Sequence, residues 1–173
     1  NEFMHTYGAV HRGAGPFATK TMDEYEEGVR DIKNFIEARK DQELLFTSNT
    51  THAINLLSRL LGFSRDEIIL TSGIEHTSNY LPWKLNSNAR LVSFKTNADA
   101  SFDFNDLETK IEELKPALVS ITGAHNLTGY IPPLREIARK THENGGKIFV
   151  DCAQLAPHRP LELSKNEIDY AAF

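Results

Sequence analysis

Apolar and polar residues along this chain alternate between two spacings. In some stretches apolar residues recur every three or four positions, as on one face of a helix, and in others they form short continuous runs between polar turns. The stretch "TMDEYEEGVRDIKNFIEAR" (Thr21–Arg39) has the helical spacing, for example at Ile32 and Ile36. Thr21 and Glu24 are spaced as in a capping box, which predicts that this helix begins at Thr21.

The rest of the chain predicts strands and helices in alternation. Strands are predicted at Glu43–Ser48, Glu67–Ser72, Arg90–Lys95, Ala117–Gly123, Lys147–Asp151 and Ile168–Phe173. Helices are predicted at Thr51–Gly62, Glu75–Asn86, Asp106–Lys115 and Pro133–Gly145. Apolar strands separated by helices are typical of a mostly parallel sheet that is covered on both faces. The pattern therefore predicts an α/β fold, a three-layer sandwich with helices on both faces of a mostly parallel sheet.

Polar side chains collect at the ends of four of the predicted strands. They are Thr50 and Thr51, then His76, then His125 and Asn126, and finally Asp151 with Gln154 and His158. Taken singly, each has an ordinary explanation as a helix cap or a residue of a glycine-flanked turn. Ligands of open α/β sheets bind outside the carboxyl ends of the strands, however. Four strands that deliver such groups to one edge predict a ligand site there.

Composition and charge narrow the class of protein. The chain has 173 residues, 40% of them apolar, and a net charge of -5 without a basic block, which argues against a nucleic-acid partner. No stretch approaches the roughly 20 apolar residues of a membrane helix, and no secretory signal opens the chain, so no membrane association is expected. Cys152 is the single cysteine, which favours a reducing, cytoplasmic setting.

The common phosphate-binding motifs are missing from the sequence. No G-x-G-x-x-G follows the first predicted strand, and no G-x-x-x-x-G-K-[ST] occurs. A nicotinamide-dependent enzyme or a P-loop enzyme is therefore not expected.

Four ordered segments carry a resemblance to a known family. They are "TSNTTHAINLL", "SGIEHTSNYLPW", "ITGAHNLTGYIPPLREIA" and "KIFVDCAQLAPHRPL". Together they resemble the class V aminotransferase group of fold type I pyridoxal-phosphate (PLP) enzymes. Within it, "EHTSNYLPW" is similar to the E-H-x-S-N-x-x-P-W pattern of the cysteine desulfurase and selenocysteine lyase branch. "YGAVHRG" (Tyr7–Gly13) also resembles a segment near that branch's N-terminus, and the resemblance covers nearly the whole chain.

The resemblance implies PLP as cofactor and assigns roles to residues of this chain. Asp151 matches the aspartate that faces the pyridine nitrogen, where a carboxylate favours the protonated, electron-withdrawing ring. Gln154 and Asn126 match residues that reach the phenolic oxygen side of the ring. His76 matches the histidine that stacks on the ring and takes part in proton transfer, and is the candidate catalytic residue. The phosphate-cradling turn is matched by Thr50, Thr51 and His52.

The resemblance also implies parts that this chain does not contain. The family's Schiff-base lysine lies in a motif like S-x-H-K just after a strand similar to "IDYAAF", and the chain stops at Phe173. Residues 1–173 are thus expected to be a partial PLP-binding major domain, with the Schiff-base lysine segment and the C-terminal small domain not present. The full-length protein is expected to be a homodimer acting on an amino acid, and this chain alone is expected to be inactive. Arg12 is expected to approach the cofactor site of the partner subunit.

Several reactions and two other classes of function stay open at this point. Desulfuration of cysteine, or the related selenocysteine chemistry, is the reaction that "EHTSNYLPW" favours, while transamination, kynurenine cleavage and epimerisation remain alternatives. "TGAHN" differs from the desulfurase-like T-H-x-S-N, and "EHTSN" has no second histidine. Cys152 is interpreted as a buried, inert thiol and not as a nucleophile. A metal-dependent hydrolase is an alternative that would use His52, His76, His125, His158 and Asp151. A non-catalytic folding or dimerisation module is another.

Overall fold

A computed structural model of the chain describes residues 2–10 and 13–173. Arg12 lies outside the described residues, so its expected place near the site stays a prediction. The chain divides into two compact units, Asn1–Leu44 and Leu45–Phe173.

The described residues of the first unit form the helices α1 (Glu2–Thr6) and α2 (Pro16–Phe35). The predicted capping box is wrong, because Thr21 lies inside α2 and is buried. Its hydroxyl donates to the carbonyl oxygen of Phe17 (2.9 Å) and accepts from the amide of Gly8 (3.0 Å). The helix begins a full turn earlier than predicted, at Pro16, since proline suits the first helical turn.

The second unit contains the sheet. Its elements in chain order are α3 (Thr50–Leu60), β1 (Ile68–Ser72), α4 (Thr77–Asn86), β2 (Arg90–Phe94), α5 (Phe104–Leu114), β3 (Leu118–Thr122), α6 (Leu134–Glu143), β4 (Lys147–Asp151) and β5 (Tyr170–Ala172). The five strands pair in the order β2-β1-β3-β4-β5, and every pair is parallel. This confirms the predicted parallel α/β sheet.

One predicted strand does not form. Residues 42–47 have no regular secondary structure, and this segment pairs with no strand of the described sheet. Leu45 and Phe46 are 68% and 57% exposed. A strand is stabilised by a hydrogen-bonded neighbour, and an apolar run by itself does not supply one.

The two faces of the sheet are covered by different helices. On one face, Ile54 of α3 and Trp83 of α4 form a core with Ile69, Leu118 and Phe149 of the strands. The rings of Trp83 and Phe149 meet edge to face with their centroids 5.5 Å apart. Helices α5 and α6 contact β1, β2 and β4 and bury Leu107, Ile111, Ile137 and Ala138 on the other face. Both faces are therefore closed, as a parallel sheet requires.

Within the described part of the chain, no helix combines the length and apolar character needed to cross a bilayer.

Candidate functional site

The strand order fixes where the loops of this sheet converge. From β1 the chain adds β2 on one side, and it then returns to add β3, β4 and β5 on the other side. The direction of strand addition thus changes between β1 and β3. Ligands of doubly wound sheets bind at such a switch point, outside the carboxyl ends of the strands. The loops after β1, β3 and β4 all open at this edge.

Asp151 is the last residue of β4 and is 6% exposed. Its Oδ1 accepts a hydrogen bond from the amide of Ala153 (3.0 Å), and among the described residues no donor is found for its Oδ2. Burial raises the pKa of this carboxyl, while the hydrogen bond from Ala153 and the charge of His76 lower it. The strand pleat puts Asp151 on the same face as Phe149. A buried carboxyl with one oxygen free is suited to a cationic partner from a ligand.

His76 is brought to this carboxyl by α4. It is the N-cap of that helix, and its Nδ1 accepts a hydrogen bond from the amide of Ser78 (3.2 Å). The ring is exposed, and its charge acts on Asp151. The structure therefore brings together His76 and Asp151, which are far apart in the sequence.

The N-terminus of α3 lies beside that of α4. Thr51 Oγ1 donates to Ser78 Oγ (3.0 Å), which joins the first turns of the two helices. The cap of α3 is Asn49, whose side chain accepts from the amide of His52 (2.8 Å). Thr50 and Thr51 therefore lie in the first turn of α3, and Asn49, not either threonine hydroxyl, caps this helix. The ring of His52 turns back to Ser48, with Nδ1 3.0 Å from Ser48 Oγ.

Asn126 and Gln154 lie on the exposed turns that follow β3 and β4. Within the described chain, neither side chain makes a hydrogen bond, so neither is joined by one to His76 or Asp151. The neighbouring His125 is buried and its Nδ1 lies 2.9 Å from Thr128 Oγ1, so it shapes its own turn.

The metal alternative finds no support in the geometry. Among the described residues, no three His, Cys, Asp or Glu side chains come together in a way that could hold a metal ion. Cys152 is fully buried, and burial raises the pKa of its thiol far above the usual range. The structure therefore agrees with an inert thiol at this position.

Sequence reasoning missed Glu75, which directly precedes His76. Ser72 Oγ donates to one of its carboxyl oxygens, and Asn79 Nδ2 donates to the other (2.7 Å). The pKa of Glu75 is raised to about 7. Burial is the main cause and the charge of Asp151 a smaller one, while the hydrogen bonds from Ser72, Asn79 and the amide of Thr122 oppose them. The one signal in the sequence was an acid placed between a buried strand and the candidate histidine.

Comparison with known proteins identifies the family. The Aminotransferase class-V family model matches residues 1–173. The chain belongs to this family. Among its relatives, a probable cysteine desulfurase from Synechocystis sp. is 35% identical over 180 residues, covering 98% of this chain and 42% of the relative. A probable cysteine desulfurase from Halalkalibacterium halodurans is 36% identical over 181 residues, covering 100% of this chain and 44% of the relative.

Solved structures of two cysteine desulfurases share the fold. The apo structure of the cysteine desulfurase from Thermococcus onnurineus NA1 superposes with a TM-score of 0.88 at 28% identity, covering 98% of this chain and 43% of that one. The cysteine desulfurase CsdA from Escherichia coli gives a TM-score of 0.79 at 26% identity, covering 98% of this chain and 44% of that one. This class V chain therefore spans less than half the length of the proteins that it matches.

Proposed function

We propose that the protein to which this chain belongs is a PLP-dependent cysteine desulfurase, acting on cysteine or selenocysteine. The observation that carries the proposal is the buried Asp151, with one carboxyl oxygen free, at the switch point of the sheet and within electrostatic reach of His76. The relatives named as cysteine desulfurases support the choice of reaction. An aminotransferase or another lyase of the same family is the alternative.

The residues present fit the polar groups of PLP. Asp151 would hold the proton of the pyridine nitrogen, since its buried carboxyl has a free acceptor in Oδ2. His76 would lie over the ring and hold a proton beside it. Asn126 and Gln154, on exposed turns at this edge, would donate to the phenolic oxygen. When bound, PLP supplies the electron sink that labilises bonds of an amino acid.

The phosphate would be held where the first turns of α3 and α4 meet. Thr50, Thr51 and His52 present hydroxyl and amide donors at a helix N-terminus, where the helix dipole favours an anion. The hydrogen bond from Thr51 to Ser78 fixes the position of this turn relative to His76.

We expect the Schiff-base lysine and the small domain to come from other residues of the same protein. The share of each relative that the chain covers, 42% and 44%, supports this division. We also propose a homodimer in the cytoplasm, as the family resemblance and the single buried cysteine suggest. The mass of the purified full-length protein in solution tests the dimer.

The full-length protein, purified with PLP, tests the proposed function directly. We expect a visible absorption band that borohydride abolishes, because a lysine binds the cofactor covalently through a reducible bond. With cysteine and excess thiol reductant, we expect sulfide and alanine in equal amounts. Failure to take up PLP at saturating concentration would remove the proposal, and formation of a keto acid without sulfide would favour the aminotransferase alternative.

Replacing Thr51 with valine tests the phosphate site. The single hydroxyl proton of Thr51 goes to Ser78 Oγ in this structure and would turn to the phosphate when PLP binds. Valine keeps the volume of the side chain and removes the hydroxyl, so we expect the affinity for PLP to fall about tenfold, the size of one hydrogen bond to an anion. Equilibrium dialysis of the full-length protein measures it. Thr109, an exposed residue of α5, provides the matched control. Equal affinities of the T51V and T109V proteins would contradict the assignment.

A further inference from the structure

The carboxyl group of Glu75 joins three separate parts of the second unit. It accepts from Ser72 at the end of β1 and from Asn79 in α4, and Asn79 in turn accepts from Ser120 of β3. A carboxylate with both oxygens hydrogen-bonded is held in one orientation. This acid lies partly buried between the candidate catalytic histidine and the sheet, and it is not among the residues proposed to contact PLP.

Strand β3 extends past the point where its pairing with β1 ends. The register of β1 with β3 ends at the pair Thr71 and Ser120, so β1 does not continue alongside Thr122. Beyond that point, the amide of Thr122 is close enough to Glu75 to lower the pKa of its carboxyl. Thr122 is itself the register partner of Asp151 on β4. Glu75 therefore supports the strand that lies directly beside Asp151.

The contact with Asn79 fixes the direction of the hydrogen bonds. Asn79 is fully buried, and its Oδ1 accepts from Trp83 Nε1 (3.0 Å) and from Ser120 Oγ (2.9 Å). The amide nitrogen of Asn79 must then face Glu75. Because that nitrogen can only donate, its partner must be an acceptor, and the carboxyl oxygen of Glu75 is that acceptor. The hydrogen bonds thus connect Glu75, through Asn79, to the indole of Trp83.

We propose that Glu75 is a positioning residue of the cofactor site: its carboxyl, through Asn79, ties the turn that carries His76 to the strand beside Asp151. This inference rests on the proposed function for its meaning, since the site positioned is the one proposed for PLP. The hydrogen bonds of Ser72 and Asn79 to Glu75, and of Ser120 to Asn79, supply the tie. Because the charge of Asp151 raises the pKa of Glu75, the proton of Glu75 is also linked to that charge.

The sign of the link follows from the charges around Glu75. Asp151 is the ionised group that acts on Glu75, and His76 acts in turn on Asp151. A negative Asp151 favours the protonated form of Glu75. A cation placed against Asp151, or the loss of its charge in D151N, removes that effect and lowers the pKa of Glu75. Binding of a cationic ring at Asp151 should therefore release the proton of Glu75.

The indole of Trp83 gives a readout that needs no cofactor. In the cofactor-free full-length protein, labelled with ¹⁵N-tryptophan, the Trp83 resonance is assigned by its loss in W83F. We expect its shift to titrate with an inflection near pH 7, where Glu75 ionises. The inflection should vanish in E75Q. It should move to higher pH in S72A, which keeps the acid and removes a hydrogen bond that stabilises its charge.

A matched control and the linked groups complete the test. Glu67 also accepts a backbone amide, that of Ser64, at the opposite end of β1, so E67Q should leave the inflection in place. D151N and bound PLP should each move it to lower pH. At pH 8, E75Q should bind PLP about tenfold more weakly, the size of effect seen for residues that orient a direct ligand partner.

Each outcome decides a stated part of the inference. An inflection that persists in E75Q, or that S72A does not move, overturns the role of Glu75. An inflection that depends on Glu75 but ignores D151N overturns the link to Asp151. If the protein takes up no PLP, the proposed function fails, while the D151N titration still decides whether the two acids are linked.

Discussion

The D151N variant of the full-length protein is expected to lose about 10²- to 10³-fold in kcat for cysteine, a range typical for the loss of one preorganised electrostatic partner. Asparagine keeps the size of the side chain, and its amide oxygen can still accept the amide of Ala153. What is lost is the negative charge in a buried place, where a carboxylate would keep the proton on the cofactor ring. Initial rates of sulfide release at saturating PLP measure the effect.

Asp99 provides a matched control for this substitution. Its Oδ1 accepts the amide of Ser101 (3.0 Å), the same two-residue pattern that Asp151 makes with Ala153, but it lies on an exposed turn. We expect D99N to retain the wild-type rate, because the charge that it removes is exposed to solvent. Equal rates for D151N and the wild-type protein would remove Asp151 from the proposed role.

The W83A variant is expected to lose about 4 kcal/mol in free energy of unfolding, the cost usual for a buried tryptophan. Trp83 is completely buried, packs edge to face on Phe149, and donates its indole N–H to Asn79. Alanine would leave a cavity between α4 and the sheet and would remove one donor from the buried amide. Urea denaturation of the full-length protein, followed by circular dichroism, measures the change.

Two further variants separate packing from hydrogen bonding. W83F keeps an aromatic ring in the core and loses the N–H donor, so we expect a smaller loss of about 1–2 kcal/mol. Leu85 lies on the same helix and is 72% exposed, so L85A should change stability by no more than about 0.5 kcal/mol. A W83A protein as stable as L85A would show that the α4 core does not hold the sheet.

The fold was largely predictable because strands that are buried on both faces of a parallel sheet are continuous apolar runs in the sequence. The strand at Lys147–Asp151 was predicted with the bounds that the structure has, since Ile148, Phe149 and Val150 between the lysine and the acid are apolar and buried. The strand predicted at Glu43–Ser48 was wrong. Its apolar residues are compatible with a strand, but they do not show that a second strand lies beside it to form hydrogen bonds. The capping box at Thr21 was wrong because a threonine hydroxyl inside a helix can bond backwards to a carbonyl.

The candidate site was predictable only in part. The ends of strands pointed to His76 and Asp151, and the structure brings these two within electrostatic reach. Glu75 was missed because its environment depends on Thr122 and, through Asn79, on Ser120, two residues distant in sequence that no local pattern records. Asn49 was missed as the cap of α3 because the adjacent Thr50 and Thr51 are equally good capping residues in sequence.

The order of the strands in the sheet bears on how this protein can assemble during synthesis. Once β1 and β2 have paired, β3 joins the free side of β1, and β4 and β5 then each join the outer side of the strand before them. Strand pairs joined through whole helices form slowly when a complete chain refolds in dilute solution. A nascent chain leaving the ribosome, however, offers these strands one at a time in the order in which the sheet can accept them. Vectorial growth of this kind would spare the polypeptide a search among alternative pairings.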